Sequence, residues 1–146
     1  MKIGVYFFLL ISLFSCDPHW FNIVVDDNGF ERNFNFECGK IDISGSVLAD
    51  KQISIFNKIK LNTIILINPE KLKITYKNEP IKSDIYINGE VIKNPIEVDG
   101  EIQMRILINT IVQNGDILKI NIDNFIVCKE KPLEIGDINL IIERHK

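Results

Sequence analysis

Histidine and cysteine carry much of the nucleophilic and metal chemistry of proteins, and this chain has two histidines and three cysteines. His19 lies near the N-terminus and His145 is the second-last residue, so neither falls where a folded interior is expected. Cys38 and Cys128 are far apart in the sequence. With two terminal histidines they match no ligand spacing of a zinc site. The sequence therefore predicts no metal site and no cofactor.

Catalysis by a serine or cysteine nucleophile needs a positioned base, which is usually a histidine. After Cys16 the chain offers few serines and no Gly-x-Ser-x-Gly turn of the kind that presents a nucleophile. Because both histidines are terminal, we expect no catalytic triad.

Carboxylates are the other candidate chemistry. Asp26-Asp27-Asn28-Gly29 resembles part of a calcium loop, but that pattern needs an acid five residues before its glycine, and Val24 stands there. We interpret the segment as an acidic turn. Two acids on separate strands would suffice for a glycosidase, so an enzyme that acts on envelope glycans stays an alternative. The sequence favours a protein that is not an enzyme.

The first sixteen residues have the layout of an export signal. Met1-Lys2 is a short basic start, Ile3 to Phe14 is almost entirely apolar, and Leu13-Phe14-Ser15-Cys16 follows without a charge. The segment resembles the signal peptide and lipobox of bacterial lipoproteins, with Leu13, Ser15 and Cys16 at the matching positions. Phe14 departs from the smaller residue that is commoner there. An ordinary signal peptide with a chance cysteine and a short N-terminal membrane helix are the alternatives, although the run is shorter than the ~20 residues that span a bilayer.

The resemblance implies that residues 1–15 are removed, that Cys16 carries the lipid, palmitate included, and that residues 16–20 form a tether. Residues 21–146 would then form a single β-domain on a membrane of the bacterial cell envelope, whose identity and face stay open. Two or more acyl chains hold a protein at a membrane stably, at ~0.8 kcal/mol per buried CH₂.

Export also bears on the two remaining cysteines. Cys38 and Cys128 form an even pair in an oxidising compartment, and such pairs tend to form disulfides. Two unrelated buried thiols are the alternative. Closing a loop of about 90 residues stabilises a fold by ~4 kcal/mol.

The formal net charge of −3 is spread along the chain, and the arginines are Arg32, Arg105 and Arg144 alone. No basic patch or arginine-rich segment suggests a nucleic-acid partner.

Period-two alternation of apolar and polar residues dominates the rest of the chain, and it predicts strands with one buried face. It is clearest in five segments: Phe34–Cys38, Leu72–Tyr76, Ile102–Ile108, Leu118–Ile122 and Ile138–Ile142. Asn88-Gly89 between two short apolar runs predicts a tight hairpin. The alternation loses phase near Asp123-Asn124, which predicts a β-bulge or a strand end. The most continuous apolar run, from Leu61 to Ile67, is rich in β-branched residues and predicts a strand buried on both faces.

These strands, with turn residues between them and no amphipathic helix, predict an all-β fold. We expect an antiparallel β-sandwich, loosely immunoglobulin-like, with about eight or nine strands. A small β-barrel is the alternative. For function the sequence predicts a lipid-anchored envelope protein that binds another envelope protein or an extracellular ligand. A small lipoprotein inhibitor or immunity protein is the second possibility.

Overall fold

The computed structural model describes residues 21–25, 31–48 and 52–144. The lipobox with Cys16, the tether, both histidines and the acidic turn Asp26-Asp27-Asn28-Gly29 lie outside the described residues. No helix in the described part of the chain has the length and apolarity needed to cross a bilayer.

The described residues form fifteen β-strands and one 3₁₀ turn at Pro69–Lys71. The strands are β1 (Phe21–Val25), β2 (Glu31–Phe36), β3 (Gly39–Leu48), β4 (Gln52–Leu61), β5 (Ile65–Ile67), β6 (Lys73–Tyr76), β7 (Glu79–Pro80), β8 (Asp84–Ile87), β9 (Glu90–Ile92), β10 (Ile96–Val98), β11 (Glu101–Asn109), β12 (Ile117–Asn121), β13 (Ile126–Cys128), β14 (Lys131–Pro132) and β15 (Asp137–Arg144). This exceeds the eight or nine expected, because several edge strands have only two or three residues and are too short to show alternation.

Eleven strands form one antiparallel sheet in the order β7-β6-β12-β15-β1-β3-β4-β11-β8-β9, with β2 beside β3. Buried side chains of β3, β4 and β11 line the same small interior space as side chains of β12 and β15. The two halves of the sheet therefore face each other as the layers of a sandwich, which confirms the predicted fold class. Within the described residues the strand path ends at β7 and at β9, so the sheet is open and is not the barrel of the alternative.

The alternating segments lie in the layers as predicted. In β11 the side chains of Ile102, Met104, Ile106 and Ile108 are buried while Glu101, Gln103 and Arg105 are exposed. The same pattern places Leu118 and Ile120 of β12, and Ile138 and Leu140 of β15, in the core. This core is mostly isoleucine, whose branched side chains fit a pleated surface.

The hairpin at Asn88-Gly89 is confirmed. Both residues have positive φ, 49° and 90°, and Ile87 pairs with Glu90 across the two-residue loop. This is the backbone of a type I′ turn, which asparagine and glycine adopt readily.

The remaining four strands form a second sheet in the order β10-β5-β13-β14, and the expectation for Leu61–Ile67 fails there. The run is not one strand: Leu61 ends β4, the chain turns a corner at 62–64, and Ile65 begins β5. At the corner, backbone N–H groups of Leu61 and Asn62 donate to the carbonyl oxygens of Gly100 and Cys38. Ile64 is 57% exposed. The backbone hydrogen bonds at this corner therefore decide the path of the chain, although that path leaves an isoleucine side chain in solvent.

The loss of phase near Asp123-Asn124 is a strand end. Asn124 has a φ of 62°, and the N–H of Phe125 donates to the carbonyl of Ile122 at 3.0 Å. This turn carries the chain from β12 in the large sheet to β13 in the small one.

Gly39 opens β3 where two backbones approach closely. Its φ is 154°, and a Cβ atom built there would lie 2.0 Å from the carbonyl oxygen of Lys60 on β4. Only a residue without a side chain fits this position.

Candidate binding surface

The two outer faces of the sandwich present different side chains. The outer face of β6, β12 and β15 contains a depression of about 480 Å³ lined by lysines, asparagines, a threonine and two aspartates. Such a set is typical of a solvated sheet face.

Two carboxylates, of Asp123 and Asp137, line this depression, and a pair of acids is what the glycosidase alternative needs. Asn121 Nδ2 donates to Asp123 Oδ2 at 3.2 Å and to Asp137 Oδ1 at 2.9 Å. Asp123 Oδ1 also accepts the backbone N–H groups of Gly136 and Ile135, both at 2.8 Å. These backbone bonds hold the pKa of Asp123 below its ordinary value, whereas an acid catalyst needs a raised pKa. Asp123 therefore has the surroundings of a carboxylate that anchors a loop.

Asp116 anchors a second loop. Its Oδ2 accepts the hydroxyl of Tyr76 and the backbone N–H of Gln113, and Lys77 Nζ lies 3.6 Å from its Oδ1. Burial alone would raise the pKa of Asp116, but these hydrogen bonds and the lysine charge outweigh burial and lower it. The carboxylate thus fastens the segment before β12 to strand β6.

Acid should weaken both anchors. The folded-state pKa of Asp116 and of Asp123 lies below the ordinary 3.8. As the pH falls, the unfolded chain therefore protonates these two carboxylates at a higher pH than the folded chain does. Their contribution to the free energy of unfolding is complete above about pH 4 and is lost as the pH falls below it. Denaturant unfolding between pH 2 and pH 7 should show this loss.

We expect Asp123→Ala to lower the free energy of unfolding at pH 7 by about 2 kcal/mol, because it removes two backbone hydrogen bonds to a charged acceptor. It should also reduce the pH dependence below pH 4. Asp84→Ala, on the exposed end of β8, is the matched control and should leave the free energy of unfolding at pH 7 unchanged. If the free energy of unfolding of Asp123→Ala fell below pH 4 as steeply as that of the unmodified protein, Asp123 would not be an anchor of the loop.

The outer face of β3, β4, β11, β8 and β9 carries a different set. Opposite residues on these five strands form one row that we call the Arg105 row: Ser44, Phe56, Arg105, Tyr86 and Val91. Phe56 is 44% and Val91 is 47% exposed. At ~4.8 Å between strands the row is about 19 Å long. The exposed Phe56 and Arg105 together with the half-buried Tyr86 are a combination typical of protein-binding surfaces.

Arg105 is held in place within its row. Its Nε and Nη2 both donate to Ser54 Oγ, at 3.3 and 2.9 Å. Its guanidinium carbon lies 5.6 Å from the centre of the Phe56 ring, which is a cation–π contact. Arg105 has no acidic partner among the described residues, whereas neighbouring Lys58 pairs with Glu101 at 2.7 Å.

A depression of about 430 Å³ lies beside the row, bordered by Phe56, Tyr86, Gln103 and Arg105. Its volume is in the range of ligand-binding clefts. Asn57 borders it and also reaches the small interior space. The Asn57 amide is 5% exposed, and its Nδ2 has no hydrogen-bond partner among the described atoms.

The predicted disulfide lies at one end of the sandwich. The structure joins Cys38, in the β2–β3 turn, to Cys128, the last residue of β13, with their Cα atoms 5.9 Å apart. Beside the bond, Lys129 Nζ lies 2.6 Å from Glu37 Oε1, and this pairing lowers the pKa of Glu37. The bond connects the large sheet to the small one.

The Arg105 row was not identified from the sequence. One signal was present in the sequence: Phe56, between Ile55 and Asn57, stands at one of the alternate positions of β4 that should face solvent. An aromatic residue on the polar parity of a strand marks an exposed apolar site. Which strands lie beside β4, and so which residues flank Phe56, cannot be read from one chain.

No group of three or more His, Cys, Asp or Glu side chains in the described ranges is placed to hold a metal ion. In comparisons with known proteins, no family model, curated protein or solved structure matches this chain.

Proposed function

We propose that this chain is a lipid-anchored binding domain of a bacterial cell envelope, which binds another protein through the Arg105 row and catalyses no reaction. The observation that carries the proposal is the row itself, in which Arg105 has one aromatic side chain on each side, Phe56 and Tyr86. The outward positions of β6, β12 and β15 include the exposed Ile117, opposite Ile141, but no aromatic or arginine side chain. Both carboxylate oxygens of Asp123 accept hydrogen bonds from within the chain, which argues against the glycosidase alternative.

The binding role has a direct test. A photo-cross-linking amino acid at Tyr86, in cells that produce the protein, should yield one discrete cross-linked product of higher mass. The same amino acid at Thr75, on the other outer face beside Lys119, is the matched control and should yield none. Phe56→Ser should abolish the Tyr86 product, because it removes the neighbouring apolar contact. Equal cross-linking from both faces, or none from Tyr86, would disprove the binding role.

The cross-linked protein would also separate two forms of the proposal. A toxin or hydrolase would identify the chain as an inhibitor or immunity protein. A resident envelope protein would identify it as an assembly partner.

The anchor is tested separately. Cys16→Ser should abolish metabolic labelling with palmitate and release the protein from the membrane fraction or leave it uncleaved. Ser15→Ala keeps a small residue before the cysteine and should label normally. Continued labelling and sedimentation of the Cys16→Ser protein with membranes would contradict lipid attachment at Cys16.

A further inference from the structure

We propose that the partner bound by the Arg105 row is an acidic protein segment, one of whose carboxylate side chains binds Arg105 between Phe56 and Tyr86. This inference rests on the proposed function and specifies the chemistry of its partner. Its first support is the charge on Arg105, which no acidic side chain among the described residues neutralises. Because Ser54 occupies Nε and Nη2, the guanidinium is oriented in advance and Nη1 stays open to a further acceptor. A carboxylate is the preferred acceptor of such a group.

The other charges of this face are paired or balanced, which leaves Arg105 as the charge that a partner would meet. Along β3, β4, β11 and β8 the outward positions carry four cations and three anions: Lys40, Lys58, Lys60, Arg105, Asp42, Asp84 and Glu101. Two of the lysines are already paired with acids, Lys58 with Glu101 and Lys40 with Asp42. On β2, which also pairs with β3, Glu31 occupies the position opposite Ser44. With it the outward positions hold equal numbers of cations and anions, so the attraction for an acid comes from the unpaired charge of Arg105 and not from the net charge of the face. Complementary charge on a partner speeds association and fixes its orientation.

The rings beside Arg105 would strengthen a bond to a carboxylate. Phe56 and Tyr86 stand on the strands to either side of Arg105, so an apolar partner surface laid on them would exclude water from the ion pair. A shielded pair interacts more strongly than an exposed one. Central arginine and aromatic residues surrounded by a sealing rim are the usual anchors of protein interfaces.

Other occupants fit less well. A sugar acid would stack on a ring face, but the guanidinium of Arg105 already lies over the ring of Phe56. Anionic lipid surfaces are recognised by clusters of several basic side chains, whereas here Lys58 is paired. In a two-fold dimer through this face, each row would meet its own copy and bring like charges together.

The test uses two fluorescent peptides with the purified, lipid-bearing protein: Leu-Glu-Phe-Glu-Leu-amide and its counterpart with both glutamates replaced by glutamine. Fluorescence anisotropy at up to millimolar protein should show the acidic peptide binding about 10-fold more tightly, the difference expected for a charged hydrogen-bonded pair. Arg105→Gln should remove this difference, and Arg105→Lys should restore part of it. Lys119→Gln, on the other outer face, is the matched control and should bind as the unmodified protein does.

Equal affinity for the two peptides, binding of neither, or an unaltered preference in Arg105→Gln would overturn the inference. Displacement of the acidic peptide by glucuronate at lower concentration than by glutamate would overturn it in favour of an acidic glycan. Cross-linking at Tyr86 separates the two proposals. If the Tyr86 product persists undiminished in Arg105→Gln, the binding role stands and the acidic partner is wrong; if Tyr86 gives no product, the binding role itself fails.

Discussion

Replacing Cys38 and Cys128 together by serine is expected to lower the free energy of unfolding by about 4 kcal/mol, the value for releasing a loop of this length. The bond spans 90 positions of sequence, so it removes much of the freedom of the unfolded chain. It also ties β13 of the small sheet to the turn before β3. Denaturant unfolding of the two proteins at equal pH measures the difference.

Alkylation with and without prior reduction identifies the bond directly. The folded protein should show no free thiol from Cys38 or Cys128 before reduction and two afterwards. A second comparison, of the unmodified protein with and without reductant, should reproduce the loss measured for the double serine variant. Free thiols in the native protein, or a stability difference near zero, would contradict the disulfide.

Gly39→Ala is expected to lower the free energy of unfolding by about 3 kcal/mol, at the upper end of the range for overpacking. The new methyl group would lie 2.0 Å from a backbone oxygen of Lys60, and backbone atoms cannot rotate away as a side chain can. Strands β3 and β4 would have to separate at their first pairs. Thermal or denaturant unfolding would measure the effect.

Gly115→Ala is the matched control. Gly115 also has a positive φ, of 85°, but an added Cβ would meet nothing within 4 Å. The control therefore bears only the conformational cost of a left-handed residue, about 1 kcal/mol. Equal losses for the two variants would show that the close approach at Gly39 does not exist.

Strands that pair along their whole length were predictable from the sequence. In β11 and β12 each buried position alternates with a solvated one, because a strand with one covered face imposes a period of two residues. The hairpin at Asn88-Gly89 was predictable for a local reason, since its backbone conformation suits those two residues. In both cases the pattern and the structural cause lie within a few positions.

The predictions failed where a distant contact decided the outcome. Leu61–Ile67 looks like one buried strand, but the backbone of Asn62 bonds to that of Cys38, and the chain turns there. The turn at Asn124 also puts Phe125 and Ile126 both in the core, so the alternation of β12 does not continue into β13. The sequence of one segment does not show which distant turns will lie beside it in the fold.

The candidate site could not be predicted for the same reason. In the sequence, Arg105 is a single charged residue at one of the alternate positions of β11 that face solvent. Its meaning depends on Phe56 and Tyr86, which lie on strands far from it along the chain and become its neighbours only when β4, β11 and β8 pair.

The position of β1 sets how the domain would stand on a membrane. Phe21 pairs with Val47, near the end of β3, whereas Gly39 and the disulfide lie at the other end, about 26 Å away at ~3.3 Å per residue. If Cys16 carries the lipid, the five residues to Phe21 reach at most ~18 Å, so the end of the sandwich near Val47 would face the bilayer. Ser44 of the Arg105 row lies three residues from Val47, about 10 Å higher. The row would then point sideways, parallel to the lipid surface, and its partner would approach as a neighbour standing on the same leaflet.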